Sequence, residues 1–229
     1  MQIILSSANV KKIREIQAIL SDIDVRSYRD FLDEIEIVED GESFEDNALL
    51  KAEKIYELLE TEMQQDFLVL ADDSGICVEA LGGMPSIYSA RFASIEASAQ
   101  DLIKKNFLPP LQSNTDENNN LKLLASLEEL GITESRASFV CVIAVCGKVG
   151  NQKIQKTFQG ECEGRVVKAP LNPQAFGYDP LFVPNGYDVT MDQLKEKNLI
   201  SHRFLALQKF QDFLKKIDFI STQNLGLRE

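Results

Sequence analysis

Phe67-Leu68-Val69-Leu70-Ala71-Asp72-Asp73-Ser74-Gly75 joins an apolar tetrapeptide to two adjacent acids, and its reading decides the fold. The run Phe67 to Leu70 predicts a short buried strand, which Gly75 is expected to end. Asp72 and Asp73 then sit at a strand tip, where ligand clefts open in α/β sheets. Adjacent carboxylates repel, and keeping both ionised calls for a cation or several donors. Mg²⁺ suits such a pair, because it takes hard oxygen ligands and travels with phosphates. An Asx-type turn, with both side chains satisfying backbone N–H groups, is the alternative. Ala71 to Gly75 alone does not separate the two.

Working outward, Gln2 to Ser6 reads as a first strand and the chain from Asn9 as a helix with Ile13, Ile16 and Ile19/Leu20 on one face. A second helix begins near Ser43 and carries Ala48, Ala52, Ile55 and Leu59 at helical spacing. Leu81-Gly82-Gly83-Met84-Pro85 is a turn-rich loop. Residues 104–120 include Pro109-Pro110 and the polar run Gln112 to Asn120, which predicts an exposed, mobile excursion with nothing to bury. A helix from Leu121 to Leu130 follows. The apolar run Phe139 to Val145 predicts a central strand, Lys153 to Val167 outer strands, and Ser201 onward a last helix burying Leu205, Phe210, Phe213/Leu214 and Ile217. Strands and helices interleave, so the class is α/β, in one domain over residues 1–229.

The chain has 229 residues, 44% hydrophobic and 26% charged, with a net charge of −12. That acidity argues against general binding to nucleic acid or anionic membranes, which needs a basic face. No run is long and apolar enough to span a bilayer, and Met1-Gln2-Ile3-Ile4 lacks the cationic head of a signal peptide, which implies a cytoplasmic protein. Cys77, Cys141, Cys146 and Cys162 form no metal spacing and read as reduced core thiols. Cys141 and Cys146 are an odd number of residues apart, so in a strand they face opposite ways.

Four constellations could carry chemistry. In Ser6-Ser7-Ala8-Asn9-Val10-Lys11-Lys12, Asn9 is a candidate N-cap, and Lys11, Lys12 and Arg14 crowd the positive end of the helix dipole. An anion such as phosphate would resolve that crowding; cations turned to water are the alternative. Ser43-Phe44-Glu45-Asp46 resembles a capping box, with Asp46 reaching back to the cap or, alternatively, adding a carboxylate to a metal site. In Phe176-Gly177-Tyr178-Asp179-Pro180, the proline is expected to hold Asp179 extended, so that a ring and a fixed carboxylate could hold a base; a core ring before an ordinary turn competes. Ser201-His202-Arg203 again sets cations at a helix start, close after Lys197. Arg203 can donate two bonds to a purine edge or a phosphate.

Taken together these strings resemble the inosine/xanthosine triphosphate pyrophosphatase family. The matches run in family order: Ser7-x-Asn9-x-x-Lys12, Ser43-Phe44-x-Asp46-Asn47-Ala48, Ala71-Asp72-Asp73-Ser74-Gly75, and Leu81-Gly82-Gly83-x-Pro85 leading to Tyr88-Ser89-Ala90-Arg91. Phe176-Gly177-Tyr178-Asp179-Pro180 and Glu196-Lys197-Asn198 before Ser201-His202-Arg203 complete them. Ser7 stands where threonine is common in the family, and Asp46 where glutamate is usual.

The resemblance implies an elongated mixed sheet flanked by helices, two lobes around a central substrate cleft, and a homodimer. It also implies Mg²⁺-dependent hydrolysis of ITP, dITP and XTP to the monophosphate and pyrophosphate, clearing deaminated purines. Carried over by position, Asp73 is the proton acceptor and, with Asp46, a metal ligand. Ser7, Ala8, Asn9, Val10, Lys11 and Lys12 hold the phosphates, and Ser74 touches substrate. Phe176, Gly177, Tyr178, Asp179, Lys197, His202 and Arg203 hold the base and neighbouring groups.

Hypoxanthine and xanthine present an N1–H donor beside a 6-oxo acceptor, and adenine the reverse. Asp179 accepting from N1–H and Arg203 donating to O6 would therefore reject ATP. Two other readings stay open: a phosphohydrolase with Asp72 or Asp73 as a phosphorylated nucleophile, and a nucleotide-binding module without catalysis.

Overall fold

A computed structural model of the chain describes residues 2–150 and 152–226, with side chains described as far as residue 217. Six strands form one mixed sheet in the order β2-β1-β3-β4-β5-β6. They are β1 (Gln2–Leu5), β2 (Asp24–Ser27), β3 (Phe67–Val78), β4 (Glu134–Val149), β5 (Gln152–Val167) and β6 (Phe182–Pro184). The helices are α1 (Val10–Ile19), α2 (Phe44–Leu58), α3 (Met63–Asp66), α4 (Ala99–Ile103), α5 (Asp116–Glu129) and α6 (His202–Gly226). β1 runs parallel to both neighbours, with Leu5 opposite Ser27 of β2 and Leu70 of β3, whereas β5 and β6 are antiparallel.

The chain divides into two compact units, one of residues 1–73, 141–160 and 203–229, the other of 74–140 and 161–202. In the first unit, strand alternation sorts side chains onto two faces. Ile3, Leu5, Leu68, Leu70, Cys141, Ile143 and Val145 pack with Ile16 of α1, Leu20 just after it, and Ala206, Leu207 and Phe210 of α6. Ile4, Val69, Ala71, Val142, Ala144 and Cys146 pack with Ala48, Ala52 and Ile55 of α2. Cys141 and Cys146 face opposite ways, as their spacing requires, and burial pushes both thiols up to about 12. The core of the second unit gathers Ile76, Val78, Phe92, Leu123, Leu127, Phe139, Tyr178 and Phe182.

Three expectations need correction. Gly75 does not end its strand: β3 continues through it to Val78, so Asp72 and Asp73 lie within the strand rather than at its tip. The glycine serves close approach, because a Cβ there would meet Ser89 Oγ at 2.3 Å and the Ser86 carbonyl at 2.4 Å. The polar stretch is not all excursion. Thr115 caps α5 by accepting from the Asn118 N–H, and Asp116 to Asn120 form the first turns of that helix. Asn119 and Asn120 are buried, because their carboxamides find backbone partners that a composition count cannot see. Asp179 is not extended either. It opens a 3₁₀ turn, Asp179–Leu181, where the missing N–H of Pro180 leaves no bond unmade.

Candidate active site

Because β3 continues, its alternation carries Asp72 and Asp73 to opposite faces of the sheet. On the α1 and α6 face, Asp72 Oδ2 lies 3.0 Å from Lys12 Nζ and 3.1 Å from Arg203 Nη2. Arg203 Nη1 reaches Glu15 Oε2 of α1 at 2.7 Å. Asp72 and Arg203 are both almost fully enclosed, at 2% and 1% exposure. Burial alone would raise the Asp72 carboxyl, but Lys12 and Arg203 outweigh it and hold it well below the usual carboxylate range. Burial would likewise lower Arg203, and Asp72 and Glu15 keep it firmly protonated.

On the α2 face, Asp73 Oδ1 pairs with Lys51 Nζ at 3.1 Å and Asp73 Oδ2 accepts from Asn47 Nδ2 at 3.3 Å. Lys51 also meets Glu39 at 3.3 Å. Here burial wins: it pushes the Asp73 carboxyl above its ordinary value, with Glu39 adding to the rise and Lys51 and Lys12 opposing it. Lys51 stays charged, because Asp73 and Glu39 overcome the effect of its burial. One dipeptide thus holds a firmly ionised carboxylate and a more basic one.

Asn9 caps α1, its Oδ1 accepting from the Lys11 and Lys12 N–H groups at 3.0 and 3.2 Å. The Asn9 N–H in turn donates to Ser7 Oγ. Lys12 therefore has a partner in Asp72, which answers part of the cation crowding at that helix start. Ser43 caps α2 by accepting from the Asp46 N–H, and its hydroxyl donates to Asp46 Oδ2 at 2.7 Å. The acid of that capping box thus meets the cap side chain.

Lys51, Glu39 and Glu15 have no place in the sequence motifs, and Asn47 appears there only within Ser43 to Ala48, without a role. Asn47 and Lys51 share one side of α2 with Ala48, Ala52 and Ile55, and polar groups on an apolar stripe are the signal that could have found them. Among the described residues no three His, Cys, Asp or Glu side chains converge into a metal cluster. Mg²⁺ commonly takes one or two carboxylates, with substrate phosphates and water completing its shell. Asp73 and Glu39, sharing one ammonium, fit that requirement.

In the second unit, Lys197 Nζ sits 2.8 Å from Asp179 Oδ2. Phe176 is half-buried, and Tyr178 is a core side chain whose hydroxyl donates to the Ser89 carbonyl at 2.8 Å. Burial, with Asp116 adding, pushes that phenol well above its usual range. The His202 ring stacks on Phe139, centroids 4.9 Å apart and 13° from parallel. Ser74 is half-buried in β3. Arg203, expected at the base edge, has Asp72 and Glu15 as partners within the first unit.

The chain is similar to solved Ham1 proteins from Staphylococcus aureus (TM-score 0.72, 34% identical, covering 94% of this chain and 99% of that one) and Coxiella burnetii (TM-score 0.73, 30% identical, 94% and 99%). It is 37% identical over 217 residues to a dITP/XTP pyrophosphatase of Campylobacter jejuni subsp. doylei, covering 94% of this chain and 98% of that protein. It is 38% identical over 220 residues to one of Nautilia profundicola, covering 95% and 100%. The Ham1 family model matches residues 3–213, a span that takes in the opposed acids, the Asn9 and Ser43 caps and the Phe176 loop; the chain belongs to the Ham1 family.

Proposed function

We propose that the protein hydrolyses deaminated purine nucleoside triphosphates, dITP, ITP and XTP, to the monophosphate and pyrophosphate. The observation that carries the reading is the opposed setting of Asp72 and Asp73. A buried carboxylate raised above its ordinary value is suited to take a proton from water at neutral pH. Asp73 is that base. Asn47 and Lys51 fix its two oxygens, which aims the group and limits its rotation. Asp72 stays ionised and anchors Lys12 and Arg203.

Phosphate oxygens meet the side chains of Lys11 and Lys12, Ser7, and the Ala8 and Val10 N–H groups at the start of α1, where the helix dipole favours an anion. The Asn9 side chain shapes this end by capping it. Asp73 and Glu39 would hold Mg²⁺, with Asp46 a further carboxylate on the same helix as Asn47 and Lys51. A bound Mg²⁺ would supply charge neutralisation for the phosphates. Lys12 and Lys51 add fixed positive charge beside Asp72 and Asp73.

Base recognition falls to Phe176, Asp179 and Lys197, with Ser74 and His202 near the sugar and base. An acceptor beside a donor complements the N1–H and 6-oxo edge of hypoxanthine and xanthine, and the Asp179–Lys197 pair has that form. Adenine would set donor against donor and acceptor against acceptor, a mismatch of on the order of 10⁴ in selectivity. The enzyme works as a cytoplasmic homodimer, a setting in which its four free cysteines stay reduced.

Pyrophosphate release from dITP, XTP, ITP, GTP and ATP, measured side by side with Mg²⁺ and after chelation, tests this reading. Release confined to the deaminated purines and lost with the metal is expected. Nucleotide binding without release would overturn it. An aspartyl-phosphate trapped in a single turnover would instead favour the nucleophile mechanism.

A further inference from the structure

We propose that Asp116 and Asn120 are positioning residues for nucleobase discrimination, gripping Gly177 by both of its backbone polar groups. The inference rests on the reading of Phe176 to Asp179 as the base-recognition loop. The Gly177 N–H donates to Asp116 Oδ2 at 3.0 Å, and Asn120 Nδ2 donates to the Gly177 carbonyl at 2.9 Å. The two side chains are one turn apart on α5, so they fall on one face of the helix and reach the same residue. Gly177 has φ +55°, in the left-handed region. A glycine there can also visit many other conformations. Pinning both its donor and its acceptor selects one.

The grip is rigid because the helix itself is tied down. Asn119 turns to another side of α5 and bonds the 3₁₀ segment Ser86–Ser94, its Oδ1 accepting from the Ala93 N–H at 2.9 Å and its Nδ2 donating to the Ala90 carbonyl at 3.2 Å. Ala90 also accepts from the Asn114 N–H at 2.9 Å. On the far side of Gly177, the Tyr178 hydroxyl is held by the Ser89 carbonyl, and the Asp179 N–H closes a turn onto the Phe176 carbonyl at 3.2 Å. These bonds form a chain of contacts from α5 to Asp179 that passes through Gly177, a permissive link. A site that tells one hydrogen-bonding edge from another must hold its groups within about 0.5 Å. Asp116 and Asn120 supply that constraint on Asp179 without touching the base.

The test compares kcat and KM for dITP and dATP, with Mg²⁺ and the full chain, in wild type, Asp116→Ala, Asp116→Asn, Asn120→Ala and Asp179→Ala. Asp116→Ala and Asn120→Ala are expected to lower dITP selectivity by about tenfold, the scale of one hydrogen bond. The loss should come mostly from a higher KM for dITP. Asp116→Asn keeps an acceptor for the Gly177 N–H and should retain most of the selectivity. Asp116 is only half-buried, so its variants report even if Asn120→Ala does not fold. Unchanged selectivity in Asp116→Ala while Asp179→Ala loses it would overturn the inference and leave the base reading standing. An equal drop in kcat for both nucleotides would mark a merely structural role and also overturn it. Intact selectivity in Asp179→Ala would remove the base reading, and the inference with it.

Discussion

Asp72 and Asp73 are consecutive in β3, yet one meets Lys12 and Arg203 on the α1 and α6 face while the other meets Lys51 and Asn47 on the α2 face. Sheet alternation turns the two neighbouring acids apart and gives each its own partners, which set its basicity.

Asp73→Asn keeps the shape and an acceptor but removes the base, so turnover of dITP should fall at least about a hundredfold. Lys51→Met removes the main influence that lowers the Asp73 carboxyl against its burial. The acid limb of kcat/KM should therefore move to higher pH in that variant. A pH–rate profile of both variants beside wild type checks each expectation.

Asp72 is held below its ordinary range in the folded chain, so unfolded protein binds its proton more readily. The stability it contributes is fully present above the ordinary carboxylate value of about 3.9 and is lost as pH falls from there toward its depressed value. Urea unfolding from pH 7 to pH 3 should show the onset of this loss below about pH 4, and Asp72→Asn should flatten it. Arg203→Met leaves a buried carboxylate with less compensation and should cost roughly 3–5 kcal/mol at pH 7.

Gly75→Ala puts a methyl group against Ser89 Oγ and the Ser86 carbonyl. Ser89 Oγ accepts from the Ile76 N–H and donates to that same carbonyl, so neither group can yield freely. The variant should lose about 1–3 kcal/mol, read as a lower urea midpoint. Adding Ser89→Ala should recover only part of it, since the carbonyl remains.

Much of the site was legible because its signals are local. Asn9 and Ser43 mark helix starts by residue type, and both cap as their sequences require. The faces of Cys141 and Cys146 follow from parity. Gly75 misled because glycine usually punctuates strands, whereas here it makes room; Ile76-Cys77-Val78 was the cue that the strand goes on. The asparagine run misled for a related reason: polar composition implies solvent unless partners lie elsewhere, and Asn119 and Asn120 find theirs at Ala90, Ala93 and Gly177.

By itself the sequence determined the alternation of strand and helix, the caps and the acidic pair, because these depend on residues a few positions apart. Only the tertiary structure decided which cation serves which acid. Asp73 takes a lysine 22 residues away and Asp72 an arginine 131 residues away. The balance of burial against charge that makes one acid a base arises only when those distant groups pack together, since desolvation belongs to the folded environment and not to the residue.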